Sequence, residues 1–362
     1  MDEMAIRNVR VFDDGVLGPP TDVFIADGRI VSFGGGSAND ASEGGVLLPG
    51  LIDTHVHVSS KQQLLAYGRW GVTTALDMGT PDWSMTRALR DEGGVASLLS
   101  AGAVACAPRG TAVRKMGYPP SSAVSGPGDA ARFVAERVAD GVDYIKVVLE
   151  DKRLFFQPDP LDETTVTAIV GEAHRAGLLV CVHATSVNSF GIAARSGADV
   201  LTHTPVTDQI TSALAADLAE RVIAVSPTLI MMKKLVERFP LPVKPKSIRY
   251  ANAIASVVEL HAAGVAILAG TDANSDPAAP NTIEHGAGMH EELALLVDAG
   301  LSPAEALLTA TAAAADTFRL SDRGRIREGL RADLLLVDGD PTRNILDTQN
   351  IRGVWVGGRE VR

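Results

Sequence analysis

Short runs of alternating apolar and polar residues occur at both ends of the chain. Ala5 to Phe12 and Asp22 to Phe33 predict strands near the N-terminus, separated by Asp-Gly turns and followed by a Gly/Ser-rich stretch. Ala332 to Val337 and Gly353 to Val356 show the same pattern near the C-terminus. We therefore expect the two ends to pair in one small β-sandwich domain, formed by residues 1–48 and 325–362.

Between the two ends, strand-like apolar runs alternate with helix-like segments, as in βα units. Helices are predicted at Asp129 to Asp140, Asp162 to Ala176 and Ile248 to Ala263, each followed closely by a glycine. The predicted strands are Gly50 to Val58, Val72 to Met78, Ser97 to Val104, Asp143 to Leu149, Leu178 to Ala184, Ala198 to Thr204, Val222 to Thr228 and Val265 to Thr271. Eight such strands predict an α/β fold, a (β/α)8 TIM barrel over residues 49–324, with its chemistry where strands end.

The composition favours an ordinary globular protein and argues against a nucleic-acid or membrane partner. The 362 residues are 46% hydrophobic and 21% charged, which is ordinary for a globular protein with one large and one small domain. The net charge of -11 argues against a nucleic-acid partner, because neutralising phosphates requires a basic surface. The N-terminus lacks the pattern of a signal peptide, and no uninterrupted apolar run reaches the ~18 residues of a membrane span. We expect a cytoplasmic protein with a small-molecule substrate and no membrane partner, and homo-oligomerisation stays open.

The two cysteines, Cys106 and Cys181, lie far apart in the sequence. A disulfide scaffold is neither needed nor expected in such a chain.

Candidate chemistry begins with His55 and His57, at the end of the first predicted barrel strand. Side chains alternate across a strand, so both imidazoles face the same side and can bind one metal ion. Asp53 shares that face. An isolated His-x-His pair is weak evidence, because it is as often structural as metal-binding.

Further residues that can bind metal fall at other predicted strand ends. His183, His203 and Asp272 each lie at such an end, and Lys146 lies inside an apolar run where an unpaired ammonium would be costly to bury. A single core histidine is usually a hydrogen-bonded structural residue. Four histidines, one lysine and one aspartate at matching positions favour a metal site over coincidence.

These segments together resemble the amidohydrolase superfamily, whose members are binuclear metal-dependent hydrolases on a distorted (β/α)8 barrel with a small β domain. The C-terminal segment and Ser302 to Thr311 are similar to imidazolonepropionase-like and prolidase-like members. The matching segments are Pro49 to His57, Asp143 to Lys146, Val182 to His183, Thr202 to His203, Gly270 to Asp272 and Gly329 to Pro341.

The resemblance implies a ligand set for two divalent ions. His55 and His57 would bind the more buried ion together with Asp272, and His183 and His203 would bind the second. Nitrogen and oxygen ligands favour Zn²⁺, and Mn²⁺ or Co²⁺ would also fit.

The resemblance also implies a carboxylated lysine and a proton carrier. Lys146, carboxylated by CO2, would bridge both ions as a carbamate, which replaces a costly buried cation with an anion. A hydroxide bridging the two ions would attack the scissile carbonyl. Asp272 would take the proton of the water and pass it to the leaving group.

The reaction we expect is hydrolysis of a C–N bond in a small amide, such as an N-acyl amino acid or a dipeptide. The alternative keeps the same binuclear site but changes the bond to that of a lactone, cyclic amide, carbamate or organophosphate. A relative that binds metal without catalysis is disfavoured, because every expected ligand is present.

Candidate substrate contacts lie on loops over the predicted barrel mouth. In the long loop after the third strand, Arg109, Arg114 and Tyr118 could anchor a carboxylate or an aromatic ring, although solvated loop charges are commoner. His285 resembles the histidine of a His-Gly pair in prolidase-like members and is a candidate for a substrate contact or a structural role. Met231 and Met232 offer an apolar wall, or simply pack in the core.

Overall fold

A computed structural model describes residues 3–35, 44–150, 160–238, 246–275 and 282–362 of the chain. Most of the predicted Gly/Ser-rich stretch, residues 36–43, and part of the loop after Asp272, residues 276–281, lie outside the described residues.

The described residues form fourteen strands and twelve α-helices. The strands are β1 (Glu3–Asp13), β2 (Val16–Ala26), β3 (Arg29–Gly34), β4 (Val46–Pro49), β5 (Leu51–Val56), β6 (Val72–Asp77), β7 (Ser97–Ser100), β8 (Ile145–Leu149), β9 (Val180–Ala184), β10 (Val200–Thr202), β11 (Ala224–Ser226), β12 (Leu334–Val337), β13 (Ile351–Val356) and β14 (Arg359–Glu360). The helices are α1 (Lys61–Arg69), α2 (Trp83–Arg90), α3 (Thr111–Lys115), α4 (Ala130–Asp140), α5 (Glu163–Arg175), α6 (Val187–Arg195), α7 (Ser212–Glu220), α8 (Leu229–Arg238), α9 (Tyr250–Ala262), α10 (Ala287–Asp298), α11 (Pro303–Thr309) and α12 (Ala312–Thr317).

Strands from both ends of the chain lie in one seven-stranded sheet, in the order β14-β13-β12-β4-β1-β2-β3. β12 runs antiparallel to β4, whereas β1 runs parallel to it. The predicted turn between β1 and β2 is present: Asp14 and Gly15 have φ values of 45° and 86°, the left-handed conformation that a tight hairpin requires. Strands from the two chain ends are therefore neighbours in one sheet.

The predicted barrel strands form two sheets of parallel strands, β5-β6-β7 and β11-β10-β9-β8. Seven of the eight are present, and the predicted helices are α4, α5 and α9. The mixed α/β architecture is thus confirmed. β7 ends at Ser100 rather than at Val104, because Gly102 adopts a φ of 61°, which interrupts the extended backbone.

The eighth predicted strand, Val265 to Thr271, is not a regular strand. It makes an isolated bridge between Ile267 and Val225, and Ala273 makes another with Val56. Its regular pairing is interrupted, because the Ala269 amide donates to the Thr309 carbonyl at 3.1 Å and Asp272 has a φ of 57°. The segment still lies beside both parallel sheets, which places Asp272 next to β5.

Two apolar clusters support this arrangement. One includes Val56 of β5 together with Leu335, Val337 and Val354 of the seven-stranded sheet, so the two parts of the molecule share a core. The other joins buried side chains from both parallel sheets and the eighth segment: Ile52, Leu76, Cys181, Val200, Ala224 and Leu268. Among the described residues, no helix is both long and apolar enough to cross a bilayer.

Candidate metal centre

Five of the six candidate metal ligands lie near or just beyond the C-terminal ends of the parallel strands and the eighth segment, whereas Lys146 is the second residue of β8. All six line one cavity of about 620 Å³: His55, His57, Lys146, His183, His203 and Asp272. Parallel strands run in one direction, so the loops that follow them meet at one face. This is why residues up to 217 positions apart in the sequence, from 55 to 272, share a cavity.

His55, His57 and Asp272 form the tightest group. Each offers one ligand atom, and these atoms lie within 4.8 Å of one another. The Nε2 atoms of His55 and His57 are 3.5 and 3.3 Å from the same oxygen, Oδ1 of Asp272. Two neutral imidazoles and one carboxylate are a donor set that a divalent cation accepts.

His183 and His203 lie directly beside this group. Their ring centroids are 4.5 Å apart, and the ring of His203 is 4.8 Å from that of His55. All four imidazoles therefore belong to one cluster.

Hydrogen bonds orient two of these rings. His57 Nδ1 lies 3.1 Å from the carbonyl oxygen of Gly79, which can only accept, so Nδ1 carries the proton and Nε2 is free to bind a cation. His203 Nδ1 lies 2.8 Å from Oγ1 of Thr228. The Nδ1 atom of His55 is buried and has no hydrogen-bond partner among the described residues.

The backbone is held in unusual conformations at this cluster. His203, Thr228 and Asp272 have φ values of 76°, 48° and 57°. Residues other than glycine adopt such values at a cost of about 1–3 kcal/mol, and they cluster at functional sites. Two of these three residues, His203 and Asp272, are candidate ligands, and the third, Thr228, contacts the ring of His203.

Burial keeps most of the imidazoles neutral. It lowers the pKa of His55 and His203 well below the ordinary value, and the pKa of His183 to about 3. Burial acts in the same direction on His57, but the neighbouring Asp272 carboxylate outweighs it and raises the pKa of His57. The neutral ring is the form that binds metal.

Lys146 is buried among these rings with 3% of its surface exposed. Its Nζ donates a 2.7 Å hydrogen bond to Oγ1 of Thr202, the residue before His203. Burial lowers the pKa of Lys146 to about 8. The buried amine therefore loses its proton more easily than an exposed lysine does.

Asp53 is fully buried and joins the eighth segment to β5. Its carboxylate accepts hydrogen bonds from the Thr271 amide at 3.0 Å and from Thr271 Oγ1 at 2.7 Å. Burial raises the pKa of Asp53 to about 7. Because Thr271 precedes Asp272, these bonds help to hold the Asp272 carboxylate beside His55.

The predicted substrate contacts lie in different places. Tyr118 is buried and lines the cavity. Arg109 and Arg114 are exposed, and neither is among the described residues that line it. His285 lies behind the site, where its Nε2 donates to the backbone carbonyl of His57 at 3.1 Å and its ring contacts Tyr67 edge-on.

Several cavity residues were not anticipated from the sequence. Glu150, directly after β8, lines the cavity, and its position carries the same signal that identified the histidines. Thr228, two residues beyond β11, contacts His203 but is not among the lining residues. Met78, Met85 and Met116 also line the cavity, but they come from separate segments and their sequence positions give no sign of it.

Comparison with known proteins identifies the family. A model described as the amidohydrolase family matches residues 46–361, which is most of the chain. The chain belongs to the amidohydrolase family. The resemblance proposed from the strand-end motifs is therefore confirmed.

Relatives of this amidohydrolase cover between about two thirds and nearly all of its length. An uncharacterized protein of Mycobacterium bovis is 29% identical over 363 residues, covering 92% of this chain and 91% of its own. Imidazolonepropionase of Deinococcus deserti is 29% identical over 237 residues, or 63% of this chain and 50% of that protein. A crystal structure of a Xaa-Pro dipeptidase with bound methionine superposes with a TM-score of 0.84 at 24% identity, covering 99% of both chains, which shows a shared fold. The protein is thus an enzyme, an amidohydrolase acting on carbon–nitrogen bonds.

Proposed function

We propose that this amidohydrolase is a metal-dependent hydrolase that cleaves the amide bond of a small molecule such as an N-acyl amino acid or a dipeptide. The observation that carries the proposal is the group formed by His55, His57 and Asp272 inside the cavity. The structural likeness to a Xaa-Pro dipeptidase supports a dipeptide-like substrate.

The proposal includes the architecture that holds the site. The two parallel sheets are arcs of one distorted (β/α)8 barrel over residues 49–324, and residues 1–48 and 325–362 form the small β domain. Support comes from backbone hydrogen bonds at both gaps. The Ala105 amide donates to the Lys146 carbonyl between β7 and β8, and the Leu268 amide donates to the Val225 carbonyl beside β11, at 2.8 and 2.9 Å.

The donor set fits two divalent ions, with Zn²⁺ the first choice and Mn²⁺ or Co²⁺ as alternatives. His55, His57 and Asp272 would hold one, and His183 and His203 the other. The unpartnered, buried Nδ1 of His55 and the lowered pKa of three of the four rings support this assignment. Bound ions would lower the pKa of a water molecule and polarise the scissile carbonyl.

Lys146 fits the role of a carboxylated bridge between the two ions. Carboxylation requires a neutral amine as the nucleophile toward CO2, and the pKa of about 8 provides it. The product is an anion in place of a buried cation, among four imidazoles that offer no negative charge. Thr202, whose Oγ1 now accepts from Nζ, has a hydroxyl that can instead donate to the carbamate.

Asp272 carries out the proton transfer. Its carboxylate takes a proton from the attacking water as the new C–O bond forms. It then gives that proton to the nitrogen as the C–N bond breaks, so the leaving group departs as a neutral amine. The left-handed backbone at Asp272 and the hydrogen bond from its amide to the His55 carbonyl, at 2.7 Å, fix the carboxylate for this role.

The test is hydrolysis of a panel of N-acyl amino acids and dipeptides by the zinc-loaded protein, with matched esters and lactones for comparison. We expect the zinc-loaded protein to cleave amides faster than the metal-free protein does. Asp272→Asn should lower kcat by about 10³-fold or more, because it removes an essential proton carrier. Asp298→Asn, a change at an exposed position on α10, is the matched control. Ester or lactone cleavage alone would favour the alternative substrate class. No cleavage of any amide would contradict the proposal.

A further inference from the structure

The cavity wall beyond the candidate metal ligands is unusually rich in methionine. Five of the eight methionines in the chain line it: Met78, Met85, Met116, Met231 and Met232. We call these five residues the methionine pocket. They come from the residue after β6, from α2, from the segment after α3 and from α8, so the enrichment does not follow from one local repeat.

Charged groups are scarce on the same wall. Apart from the candidate metal ligands, the charged side chains among the described lining residues are Lys115 and Glu150. Lys115 is exposed, and the carboxylate of Glu150 already accepts a hydrogen bond from the Thr111 amide at 3.0 Å. Val104, Val148 and Leu235 add further apolar surface.

A buried carboxyl group holds the helix that carries part of this pocket. Glu292 of α10 accepts hydrogen bonds from the Leu229 and Ile230 amides at 2.8 and 2.7 Å, one on each oxygen. These are the first two amides of α8, which have no acceptor within the helix. The bonds fix the first turn of α8, which includes Met231 and Met232.

The chemistry of methionine suggests what such a pocket accepts. Its side chain is unbranched and polarisable, so several methionines can adapt to apolar groups of different shape and make favourable contacts with aromatic rings. A cavity of about 620 Å³ lies within the ~300–1,000 Å³ range of small-molecule sites and leaves room beyond the reacting amide.

From these observations we infer that the methionine pocket binds an uncharged, bulky apolar substituent of the substrate, so that the enzyme prefers amides bearing a long acyl chain or an aromatic group. This inference rests on the proposed function, because it concerns the same cavity. It assigns a specificity role to Met231 and Met232 of α8. From the sequence alone, these two residues could either form an apolar wall of the site or simply pack in the core.

The test uses two substrate series with the zinc-loaded full-length protein. One lengthens the acyl group on glycine from acetyl to hexanoyl and decanoyl. The other keeps the acetyl group and changes the amino acid from glycine to leucine and phenylalanine, with glutamate and lysine as charged counterparts. We expect kcat/KM to rise about tenfold or more with apolar bulk in at least one series, and not with charge.

Variants locate the preference in the pocket. Met85 is half-buried on a short helix, so Met85→Ala should fold normally. It should lower the ratio of kcat/KM for the bulky substrate to kcat/KM for the small one by about tenfold. Met232→Ala should do the same, whereas Met232→Leu, which conserves volume, should retain the preference. Met4→Ala, in the seven-stranded sheet, is the control, and melting curves verify that each variant is folded.

The two proposals fail in different ways. Hydrolysis that is insensitive to apolar bulk, or a preference that survives both alanine variants, would overturn this inference while leaving the proposed function intact. If no amide is cleaved, the proposed function fails, and calorimetric binding of decanoylglycine against acetylglycine still decides the inference. About tenfold tighter binding of decanoylglycine supports it, and equal binding overturns it.

Discussion

At the scale of single residues, the orientation of His203 depends on Thr228. The 2.8 Å hydrogen bond between His203 Nδ1 and Thr228 Oγ1 leaves Nε2 as the ring atom that can face a cation. Thr228 is a β-branched residue with a φ of 48°, an outlier that persists only where its surroundings enforce it. We infer that this strain is tolerated because it places the hydroxyl against the ring.

Replacing Thr228 with valine tests this role. The side chain keeps its shape but loses the hydroxyl, so zinc affinity or activity should fall about 10–100-fold, the usual cost of losing a hydrogen bond to a ligating histidine. Competition with a chromophoric chelator measures the affinity. Thr167→Val, on the outer helix α5, is the matched control. Unchanged zinc affinity and activity in Thr228→Val would show that the hydroxyl does not position the ring.

Residue types at strand ends could be predicted from the sequence, but their partners could not. The candidate ligands were identifiable because parallel strands end at one face, which needs no knowledge of distances. Thr228 lies 25 residues from His203, and nothing in either local sequence indicates their contact. Equally, the sequence could not show that Tyr118 lines the cavity while Arg109 and Arg114 do not.

At the scale of elements, the attachment of α8 to α10 depends on one buried carboxyl group. Glu292 is fully buried, and burial raises its pKa from 4.5 to about 8 although two backbone amides donate to it. In the unfolded chain the same group titrates near its ordinary value. Between these two pKa values the folded state holds a proton that the unfolded state has lost, so this group's contribution to the free energy of unfolding falls as pH rises.

Substitution of Glu292 by glutamine should remove that contribution. The stability of the wild type relative to Glu292→Gln should be highest near pH 5 and fall by a few kcal/mol toward pH 9. Thermal melts of both proteins at pH 5, 7 and 9 measure the difference. Glu291→Gln, the exposed neighbour on α10, should show no such trend. A constant difference between wild type and Glu292→Gln across this range would contradict the raised pKa.

The elements themselves were largely predictable, with errors that have local causes. Seven parallel strands and three helices follow from apolar runs and from the glycines that come after the helices. The eighth segment is not a regular strand, because the Ala269 amide donates to the Thr309 carbonyl. This contact is between residues far apart in the sequence, so the local pattern of residues could not predict it. Gly102 shortens the third strand, although its neighbours look extended in sequence.

At the scale of the whole molecule, the seven-stranded sheet and the parallel sheets share one apolar core. Leu335 of β12 is fully buried in that core and lies so close to Gly71, before β6, that a Cβ there would be 2.7 Å from its Cδ2. The chain ends are therefore packed against the part that carries the candidate metal centre.

Truncating Leu335 measures this connection. Leu335→Ala should lower the free energy of unfolding by about 2–5 kcal/mol, the cost of deleting a buried leucine side chain. Val31→Ala, at an exposed position of β3, should change it by less than about 0.5 kcal/mol. Denaturant unfolding compares the two variants. A cost for Leu335→Ala as small as that of Val31→Ala would mean that the sheet does not contribute to the shared core.

The family and the pairing of the chain ends were accessible from sequence, because both depend on motifs and on patterns within single segments. The methionine pocket was not, because it exists only once α2, α8 and the loop after β7 pack around one cavity. Its residues are distributed over more than 150 positions, from Met78 to Met232, and each one alone is indistinguishable from a core methionine.

The central claim is that the cluster of His55, His57, Lys146, His183, His203 and Asp272 binds the metal on which hydrolysis depends. Its most direct test is to titrate zinc into metal-free protein, in the presence of bicarbonate, while bound metal and hydrolysis of an N-acyl amino acid are followed together. We predict that activity rises with bound zinc and saturates at about two ions per chain. Full activity without metal, or no stoichiometric zinc binding, would contradict it.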